Sequence, residues 1–177
     1  SMNTIDLHII DIIQNSLRAG AGEIGVSICK TEVSNTLRIT ISDNGSGIEA
    51  DKIASVCDPY FTSRTERKVG MGLPLLKFQA ELTGGYLVLE STKNRGTRVE
   101  VCFNTRHPDC QPAGDISGTL ARFVCQFADI NFDIEAANGN ETFHTSSREL
   151  KEALGIEGSF SNYDFALIKE LLSSYVD

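Results

Sequence analysis

The chain opens with an amphipathic helix that is followed at once by two alternating strands. Apolar residues recur at helical spacing in residues 5–19, where Ile5 and Ile9 share one face. Every second residue is apolar in residues 24–28 and 37–41, which is the pattern of strands with one buried face. This order restricts the chain to α+β folds in which a helix precedes adjacent, half-buried strands.

Further elements are predicted downstream of these strands. Residues 49–57 favour a short helix, and residues 62–70 are expected to form a polar, basic loop. Another helix is expected to open at Gly72, because a proline two residues later is well placed in a first helical turn. Residues 86–91 and 97–103 predict a terminal β-hairpin.

The composition changes near the middle of the chain. Residues 104–115 contain two of the four prolines and no hydrophobic periodicity, which is typical of a linker. Residues 116–177 predict a helix, a hairpin about Asn138 and Gly139, and two further helices. We therefore expect a domain of residues 1–103, the linker, and a small α-β-β-α-α extension.

Composition excludes several classes of protein. The 177 residues are 41% hydrophobic and 23% charged, which is ordinary for a globular protein. No apolar run reaches the roughly 18 residues that a membrane span needs. The five cysteines include no Cys-x-x-Cys pair, which argues against a disulfide framework or a zinc ribbon. We expect a cytoplasmic protein without a membrane span.

The negative charge is concentrated in the second part of the sequence. The formal net charge of −8 divides into −1 for residues 1–103 and −7 for residues 104–177. An acidic segment repels phosphate backbones, so a nucleic-acid partner is not expected. The excess of carboxylates is either a solvated surface or a docking surface for a basic protein partner. The sequence carries no signal for the oligomeric state.

Asp11 and Asn15 stand one turn apart on the first helix and point into the same space. The amide oxygen of Asn15 suits Mg²⁺, which prefers oxygen ligands. The carboxylate of Asp11 is a candidate general base for a water molecule or hydroxyl. A solvated polar helix face is the alternative. His8, one turn earlier on that face, is expected either to be a partly exposed structural residue or to modulate Asp11.

Asp43, Gly45 and Gly47 directly follow the second strand. The glycines would let the backbone approach a flat ligand closely. Asp43 would accept a hydrogen bond from an exocyclic amine such as that of adenine. A tight turn capped by the Asp43 side chain is the alternative.

An aromatic and basic segment follows the short helix. Phe61 is followed by Thr62 and Arg64 in a stretch that contains two further cations. Such a loop is able to close over phosphate groups, since arginine offers a planar, charged fork. A plain surface loop is the alternative.

A glycine-rich segment leads into the next helix. Its residues are Gly70, Met71, Gly72 and Leu73. Backbone amides at the start of a helix point outward and attract anions, which predicts a phosphate contact. An ordinary helix start is the alternative.

In this order the four segments resemble the N-box, G1 box, F-box and G2 box of the GHKL ATP-binding domain. This domain is shared by gyrase, heat-shock chaperones, histidine kinases and mismatch-repair ATPases. The resemblance covers about residues 4–103 and includes a closing Gly-Thr pair at Gly96 and Thr97. It implies the Bergerat fold, a two-layer α/β sandwich with a mixed sheet and helices on one face.

The resemblance also implies ATP and Mg²⁺ as ligands. It assigns Mg²⁺ to Asn15, the adenine amine to Asp43, and support of the adenine end to Thr97. The amides near Gly70 and Gly72 are expected to hold phosphate. The full set of expected ligand-binding residues is Asn15, Asp43, Gly45, Gly47, Ile48, Phe61, Thr62, Arg64, Gly70, Met71, Gly72, Leu73 and Thr97.

In the resembled family, the residue type at the position of Asp11 differs between members with different activities. Members that hydrolyse ATP or phosphorylate serine usually carry glutamate there, and histidine kinases usually carry asparagine. Asp11 favours a water or hydroxyl acceptor, although its side chain is one methylene shorter than glutamate. No hairpin with an acceptor histidine precedes the N-box in this sequence, so an acceptor on another protein is expected.

These features predict a Mg²⁺-dependent ATP-binding protein that acts as a kinase or ATPase on a partner protein in signalling or regulation. The alternative is an ATP-gated protein-binding regulator, similar to anti-sigma factors, in which phosphoryl transfer is absent or incidental. A degenerate domain that binds no nucleotide is disfavoured by the presence of Asn15, Asp43, Gly47 and Gly72.

Overall fold

A computed structural model of the protein describes residues 3–58 and 72–177. Its helices are α1 (Ile5–Arg18), α2 (Ala50–Val56), α3 (Gly72–Leu82), α4 (Ile116–Gln126), α5 (Ser147–Leu154) and α6 (Asn162–Val176). Its strands are β1 (Glu23–Thr31), β2 (Thr36–Asp43), β3 (Tyr86–Thr92), β4 (Gly96–Asn104), β5 (Asn131–Asn138) and β6 (Glu141–Ser146). These elements follow the order that the periodicity predicts.

The six strands form one mixed sheet in the order β3-β4-β2-β1-β5-β6. Strands β1 and β5 are parallel, and the other neighbouring pairs are antiparallel. Ile39 of β2 lies opposite Ile28 of β1 and Val101 of β4, so apolar side chains line up across the centre of the sheet. The predicted α+β architecture with a mixed sheet is confirmed.

One face of the sheet is buried beneath helices. Buried and more exposed residues alternate along the strands, as a period of two requires. Helices α1, α3, α4 and α6 pack on the buried face, whereas the opposite face carries exposed polar side chains such as Arg38 and Glu135. The fold is therefore a two-layer sandwich. The buried residues of its central strands are Ile24, Val26, Ile28, Leu37, Ile39, Ile41, Val99, Val101, Phe103, Phe132, Ile134 and Ala136.

Helix α1 is held by its apolar stripe in the middle of the helix layer. Ile5, Ile9 and Ile13 are each at most 1% exposed, and the helix contacts α3, α4 and β2. This packing fixes the rotation of the helix, because one turn spans 3.6 residues. The polar stripe with Asp11 and Asn15 is consequently directed to the side of the layer where α3 begins.

The segment after β4 continues the same sheet and the same hydrophobic core. Strand β5 pairs with β1 along its full length, and Ile116 and Leu120 belong to one buried cluster with Ile5. The predicted linker is fixed as well, since the backbone amides of Ile5 and its neighbour donate to the carbonyls of Pro112 and Ala113 at 3.0 Å. Independent folding of residues 1–103 stays a prediction, and the shared sheet and core argue against it.

The state of the cysteines and the character of the helices relate to the expectations from composition. The five cysteines carry free thiols, and each is half-buried. Among the helices of residues 3–58 and 72–177, none combines the length and the apolar character that crossing a membrane requires.

Candidate active site

A cavity of about 300 Å³ opens between α1 and the ends of β2 and β4. This volume lies at the lower end of the range for small-molecule sites. Apolar side chains from both layers line it, among them Ile12, Ile41 and Val99. The cavity also brings together six of the residues that the sequence predicts to bind ligand, namely Asn15, Asp43, Gly47, Ile48, Leu73 and Thr97.

Asp43 is the last residue of β2, and its carboxylate is held from two sides. Ser16 of α1 donates its hydroxyl hydrogen to Oδ2 at 2.6 Å, and the backbone amide of Gly45 donates to Oδ1 at 2.9 Å. A carboxylate has about four lone-pair positions, so each oxygen keeps one for a further donor. The fixed acceptor at the cavity wall therefore suits an amine group of a ligand.

The glycine-rich loop after β2 is packed against protein backbone rather than left open for a ligand. A Cβ atom on Gly47 would lie 2.1 Å from the carbonyl oxygen of Thr92, and Gly47 has a φ of +70°. A Cβ atom on Gly45 would lie 2.8 Å from the carbonyl oxygen of Ala19. Both positions thus require glycine for packing. Gly47 lines the cavity, whereas Gly45 supports the loop behind it.

Hydroxyl groups connect the loop to the β3–β4 hairpin. Ser91 Oγ and Thr97 Oγ1 are 2.8 Å apart, and the backbone amide of Ile48 donates to Ser91 Oγ at 2.8 Å. Asp43 and Thr97 are directly opposite each other in the β2–β4 pair. The pairing of these two strands therefore places Thr97 beside Asp43 at the cavity, although 54 positions separate them in the sequence.

Asn15 lines the cavity from α1, and its amide oxygen is engaged by a cation. Arg18 Nη1 donates to Asn15 Oδ1 at 2.9 Å. Arg18 lines the cavity too. The two side chains meet because residues three apart share a helix face. The oxygen that the sequence analysis predicts to bind Mg²⁺ thus lies next to a positive charge, which suits a phosphate-bearing ligand better than a bare cation.

Asp11 lies at the contact between α1 and α3 and is not among the residues that line the cavity. A Cβ atom on Gly72 would be 1.7 Å from Asp11 Oδ2, so only glycine lets the first residue of α3 come this close. Oδ2 is buried and accepts no hydrogen bond within the described residues. Burial raises the pKa of Asp11, and the positive charge of Arg18 opposes this effect. The carboxylate is a stronger base than an exposed aspartate.

Part of the predicted site lies outside the described residues. Phe61, Thr62, Arg64, Gly70 and Met71 all fall between residues 58 and 72. Their predicted roles in ligand binding stay predictions.

Three cations and two hydroxyls of the site were not among the predicted ligand-binding residues. Arg18 shares the helix face of Asn15, so helical spacing was the available signal for it. Lys52 of α2 and Lys93 of the β3–β4 turn line the cavity, but nothing local in the sequence separates them from ordinary surface lysines. Ser16 and Ser91 act through hydrogen bonds that only the folded chain forms.

The oxygen ligands at this site suit a magnesium ion that binds together with a nucleotide. They suit less well a metal ion that is bound by the protein alone. Within residues 3–58 and 72–177, no three His, Cys, Asp or Glu side chains cluster as metal ligands. Mg²⁺ keeps several waters and commonly takes one or two protein oxygens together with substrate phosphates. The oxygen of Asn15 meets this requirement, and the neighbouring cations would bind the phosphates.

The chain matches known proteins over its first part. The sequence model of the family described as histidine kinase-, DNA gyrase B-, and HSP90-like ATPase matches residues 3–107. The sensor histidine kinase ZraS of Escherichia coli O157:H7 is 31% identical over 91 residues, which are 51% of this chain and 19% of that protein. The signal transduction histidine-protein kinase AfsQ2 of Streptomyces coelicolor is 27% identical over 119 residues, 64% of this chain and 21% of that protein. The chain thus spans about a fifth of the length of these curated relatives.

A solved structure resembles the fold over more of the chain. The crystal structure of the N-terminal domain of a DNA repair protein aligns with 84% of this chain and 56% of that chain, with a TM-score of 0.53. The sequence identity is 15%, so the likeness concerns the fold alone. The structural alignment covers more of the chain than residues 3–107 do. Part of the C-terminal region is therefore aligned as well.

Proposed function

Because the chain belongs to the family of histidine kinase-, DNA gyrase B-, and HSP90-like ATPases, we propose that it binds ATP together with Mg²⁺ and transfers the γ-phosphoryl group to a partner protein or to water. The family membership supports ATP binding directly. The dependence on Mg²⁺ and the transfer reaction are inferred from the site.

The observation that carries this proposal is that Asp43 and Asn15 line one cavity from two different elements. Asp43 offers a fixed acceptor for the adenine amine, and Asn15 offers an oxygen ligand for the metal. Arg18, Lys52 and Lys93 line the same cavity, and their charges favour a polyphosphate. An amine acceptor, a metal ligand and a group of cations are the features that a bound ATP molecule requires.

Asp11 is proposed as the general base of the transfer. It takes the proton of the attacking hydroxyl or water, whose oxygen bonds to the γ-phosphorus while the bond to ADP breaks. Its buried position keeps its pKa above the ordinary range and so strengthens it as a base. Mg²⁺ held at Asn15 would supply charge neutralisation on the phosphates.

The fate of the γ-phosphate tests this proposal. The protein is incubated with Mg²⁺ and γ-labelled ATP beside an Asp11→Asn variant, which keeps the shape of the side chain but removes its basicity. We expect released phosphate or labelled protein with the wild type, and at least about a 10²-fold lower rate with the variant, which is the lower end of the range for loss of a general base.

The matched control for this experiment is Asp129→Asn. Asp129 is exposed and follows α4, away from the cavity, so the same substitution there leaves the rate unchanged. If the wild type and Asp11→Asn transfer phosphate at the same rate, Asp11 is not the general base.

Asn15→Ala is predicted to remove the effect of Mg²⁺ on ATP binding. The variant loses the oxygen that would complete the metal coordination. The ratio of the Kd for ATP in EDTA to the Kd in Mg²⁺ falls toward 1, whereas Asn15→Asp keeps an oxygen and retains a ratio above 1. Isothermal titration calorimetry measures both values. An unaltered ratio in Asn15→Ala would place the metal elsewhere.

The second candidate function is an ATP-gated protein-binding regulator. The observation that favours it is the position of Asp11, which lies beside α3 and outside the cavity lining. A misplacement of about 1 Å can cost a factor of about 10² in rate. ATP that binds but stays intact in the labelling experiment, with or without candidate partners, would select this function.

A basic protein partner is proposed for the C-terminal region in either case. Residues 104–177 carry a formal charge of −7. Many of the carboxylates are exposed on the β5–β6 hairpin and on α5 and α6, among them Glu135, Glu141, Glu152 and Glu170. An exposed acidic surface attracts a partner of opposite charge and raises its association rate.

A further inference from the structure

Helix α6 carries apolar side chains on two nearly opposite faces. One set recurs every four residues and is buried in the core: Ile168, Leu172 and Val176. A second set has the same spacing but is 71%, 36% and 39% exposed: Tyr163, Leu167 and Leu171. Because a helix turns by about 100° per residue, the two sets lie about 140° apart. An amphipathic surface helix needs only the first set, so the second indicates that another surface covers α6.

The buried set is sufficient to hold α6 in place. The helix packs on α4 and β5, and the ring of its Tyr175 stacks on that of Phe143 in β6 with a centroid distance of 4.3 Å. A capping box of Ser161 and Asp164 closes its first turn. The exposed set adds little to this packing, so polar substitutions there are not expected to disturb the fold.

The exposed side chains form a continuous strip, which we call the outer face of α6. Its residues are Tyr163, Ala166, Leu167, Glu170, Leu171 and Ser174. Leu171 follows Tyr163 by eight positions. This separation is about 12 Å along the helix axis, and the row of side chains forms a ridge. A ridge of this kind packs into the groove between the side chains of a second helix, whereas a single exposed apolar residue needs no partner.

The charge available to a partner beside this ridge is negative. The three cations of residues 147–177 are each held by another part of the chain: Arg148 by Glu23 at 2.7 Å, Lys151 by the carbonyl of Ala128 at 2.6 Å, and Lys169 by Asp115 at 3.5 Å. Glu152, Glu157 and Glu170 are exposed, and their carboxylates make no ion pair in the described part of the chain. Glu170 lies on the outer face itself. Lysine or arginine side chains of a partner would complement these carboxylates.

We propose that the outer face of α6 docks an amphipathic helix of another protein, one with an apolar stripe bordered by lysine or arginine. The apolar stripe packs along Tyr163, Leu167 and Leu171, and the bordering cations pair with Glu170 and the neighbouring carboxylates. This inference rests on the basic partner that we propose for the C-terminal region. It names the surface that the partner contacts and the form of the segment that binds.

The same charges disfavour two other occupants. A second copy of the chain would bring two Glu170 carboxylates and two regions of charge −7 together. The cations of residues 147–177 are already engaged and would not neutralise them. An anionic lipid surface would be repelled for the same reason, because it attracts basic segments.

A synthetic peptide tests the docking surface. The probe has about 18 residues, with leucine at the a and d positions of a heptad and lysine at most other positions. Fluorescence anisotropy of the labelled probe measures its Kd for the full chain. One comparison peptide has glutamate in place of lysine, and another has the composition of the probe without helical periodicity. We expect the probe to bind at least about tenfold more tightly than either.

Leu171→Gln and Leu75→Gln are a matched pair of variants. Leu75 of α3 is 37% exposed and Leu171 is 39% exposed, so the same substitution changes a similar apolar surface. Leu171→Gln should raise the Kd for the probe about tenfold or more, as loss of a central apolar contact does, and Leu75→Gln should leave it within about twofold. Glu170→Gln should raise the Kd about threefold at low salt and less at high salt, because salt screens exposed charges. Thermal unfolding shows whether each variant keeps its fold.

The outcomes separate this inference from the proposals on which it rests. If the peptide without periodicity binds as tightly as the probe and Leu171→Gln has no effect, the outer face is rejected but a basic partner is not. Loss of binding in Leu75→Gln alone would move the surface to α3, and a dimer that Leu171→Gln dissociates would make the occupant a second copy. If neither lysine peptide binds, the basic partner fails as well. The Kd for ATP and the rate of phosphate transfer should be unchanged in Leu171→Gln, so these two measurements judge the ATP-dependent function independently.

Discussion

Asp43→Asn is expected to raise the Kd for ATP by about 30- to 100-fold, or ~2–3 kcal/mol. The carboxylate already accepts hydrogen bonds from Ser16 and from the amide of Gly45. An asparagine must turn its NH₂ group toward one of these donors or toward the amine of adenine. An NH₂ group turned toward the Gly45 amide or the adenine amine brings two donors together. An NH₂ group turned toward the Ser16 hydroxyl, which can also accept, leaves one oxygen to serve the other two donors, so affinity for the adenine end is lost in each case. Isothermal titration calorimetry with Mg²⁺ and ATP measures the change.

GTP provides an internal control for this assignment. Its guanine base carries a carbonyl oxygen where adenine carries the exocyclic amine, so the wild type should bind GTP more weakly than ATP. An asparagine NH₂ group can donate to that oxygen, and the preference for ATP should shrink in Asp43→Asn. The same substitution at Asp133, on the open face of the sheet, should leave both Kd values within twofold. An unchanged affinity for ATP in Asp43→Asn would reject its role at adenine.

A chain that ends after residue 115 is expected to lose its cooperative fold. The deletion removes β5, the parallel partner of β1, and α4, which packs on α1. It would expose the hydrogen-bonding edge of β1 and apolar side chains of α1. Exposing three or four large apolar side chains costs about 5–10 kcal/mol, which is comparable with the whole stability of a domain. Circular dichroism and urea unfolding would show a broad transition or none.

Two neighbouring leucines of α6 supply a matched comparison in the full chain. Leu172 is fully buried and Leu171 is 39% exposed. Leu172→Ala should lower the free energy of unfolding by about 2–5 kcal/mol, and Leu171→Ala by roughly 0.5 kcal/mol or less. If the chain is one cooperative unit, Leu172→Ala also lowers the hydrogen-exchange protection of β1. A truncated chain that unfolds cooperatively and binds ATP normally would instead make residues 1–103 an independent domain.

Local patterns were sufficient to predict most elements of the fold. The helix expected over residues 5–19 is α1, and the hairpin expected about Asn138 and Gly139 joins β5 and β6. Ser146 caps helix α5, since its side chain accepts a hydrogen bond from the amide of Glu149 at 3.1 Å. Periodicity and capping depend on residues fewer than about eight positions apart, so one sequence displays them directly.

The structure explains the need for glycine after β2 differently from the sequence pattern. The sequence suggested that Gly45 and Gly47 let the backbone approach a ligand. In the structure a Cβ atom at either residue would collide with a carbonyl oxygen of a neighbouring segment, that of Ala19 or of Thr92. The requirement for glycine was visible in the sequence, but the atoms that impose it come from other parts of the chain.

The sequence by itself determined the elements, the faces of α1, and six of the residues that meet at the cavity. The tertiary structure decided which distant segments lie side by side. It placed β5 parallel to β1, Thr97 opposite Asp43, and His8 beneath α3 with its ring buried. Burial and long-range strand pairing depend on how the whole chain packs, and these contacts leave no local pattern. The tertiary structure also decides the basicity of Asp11, because desolvation by the surrounding helices raises its pKa.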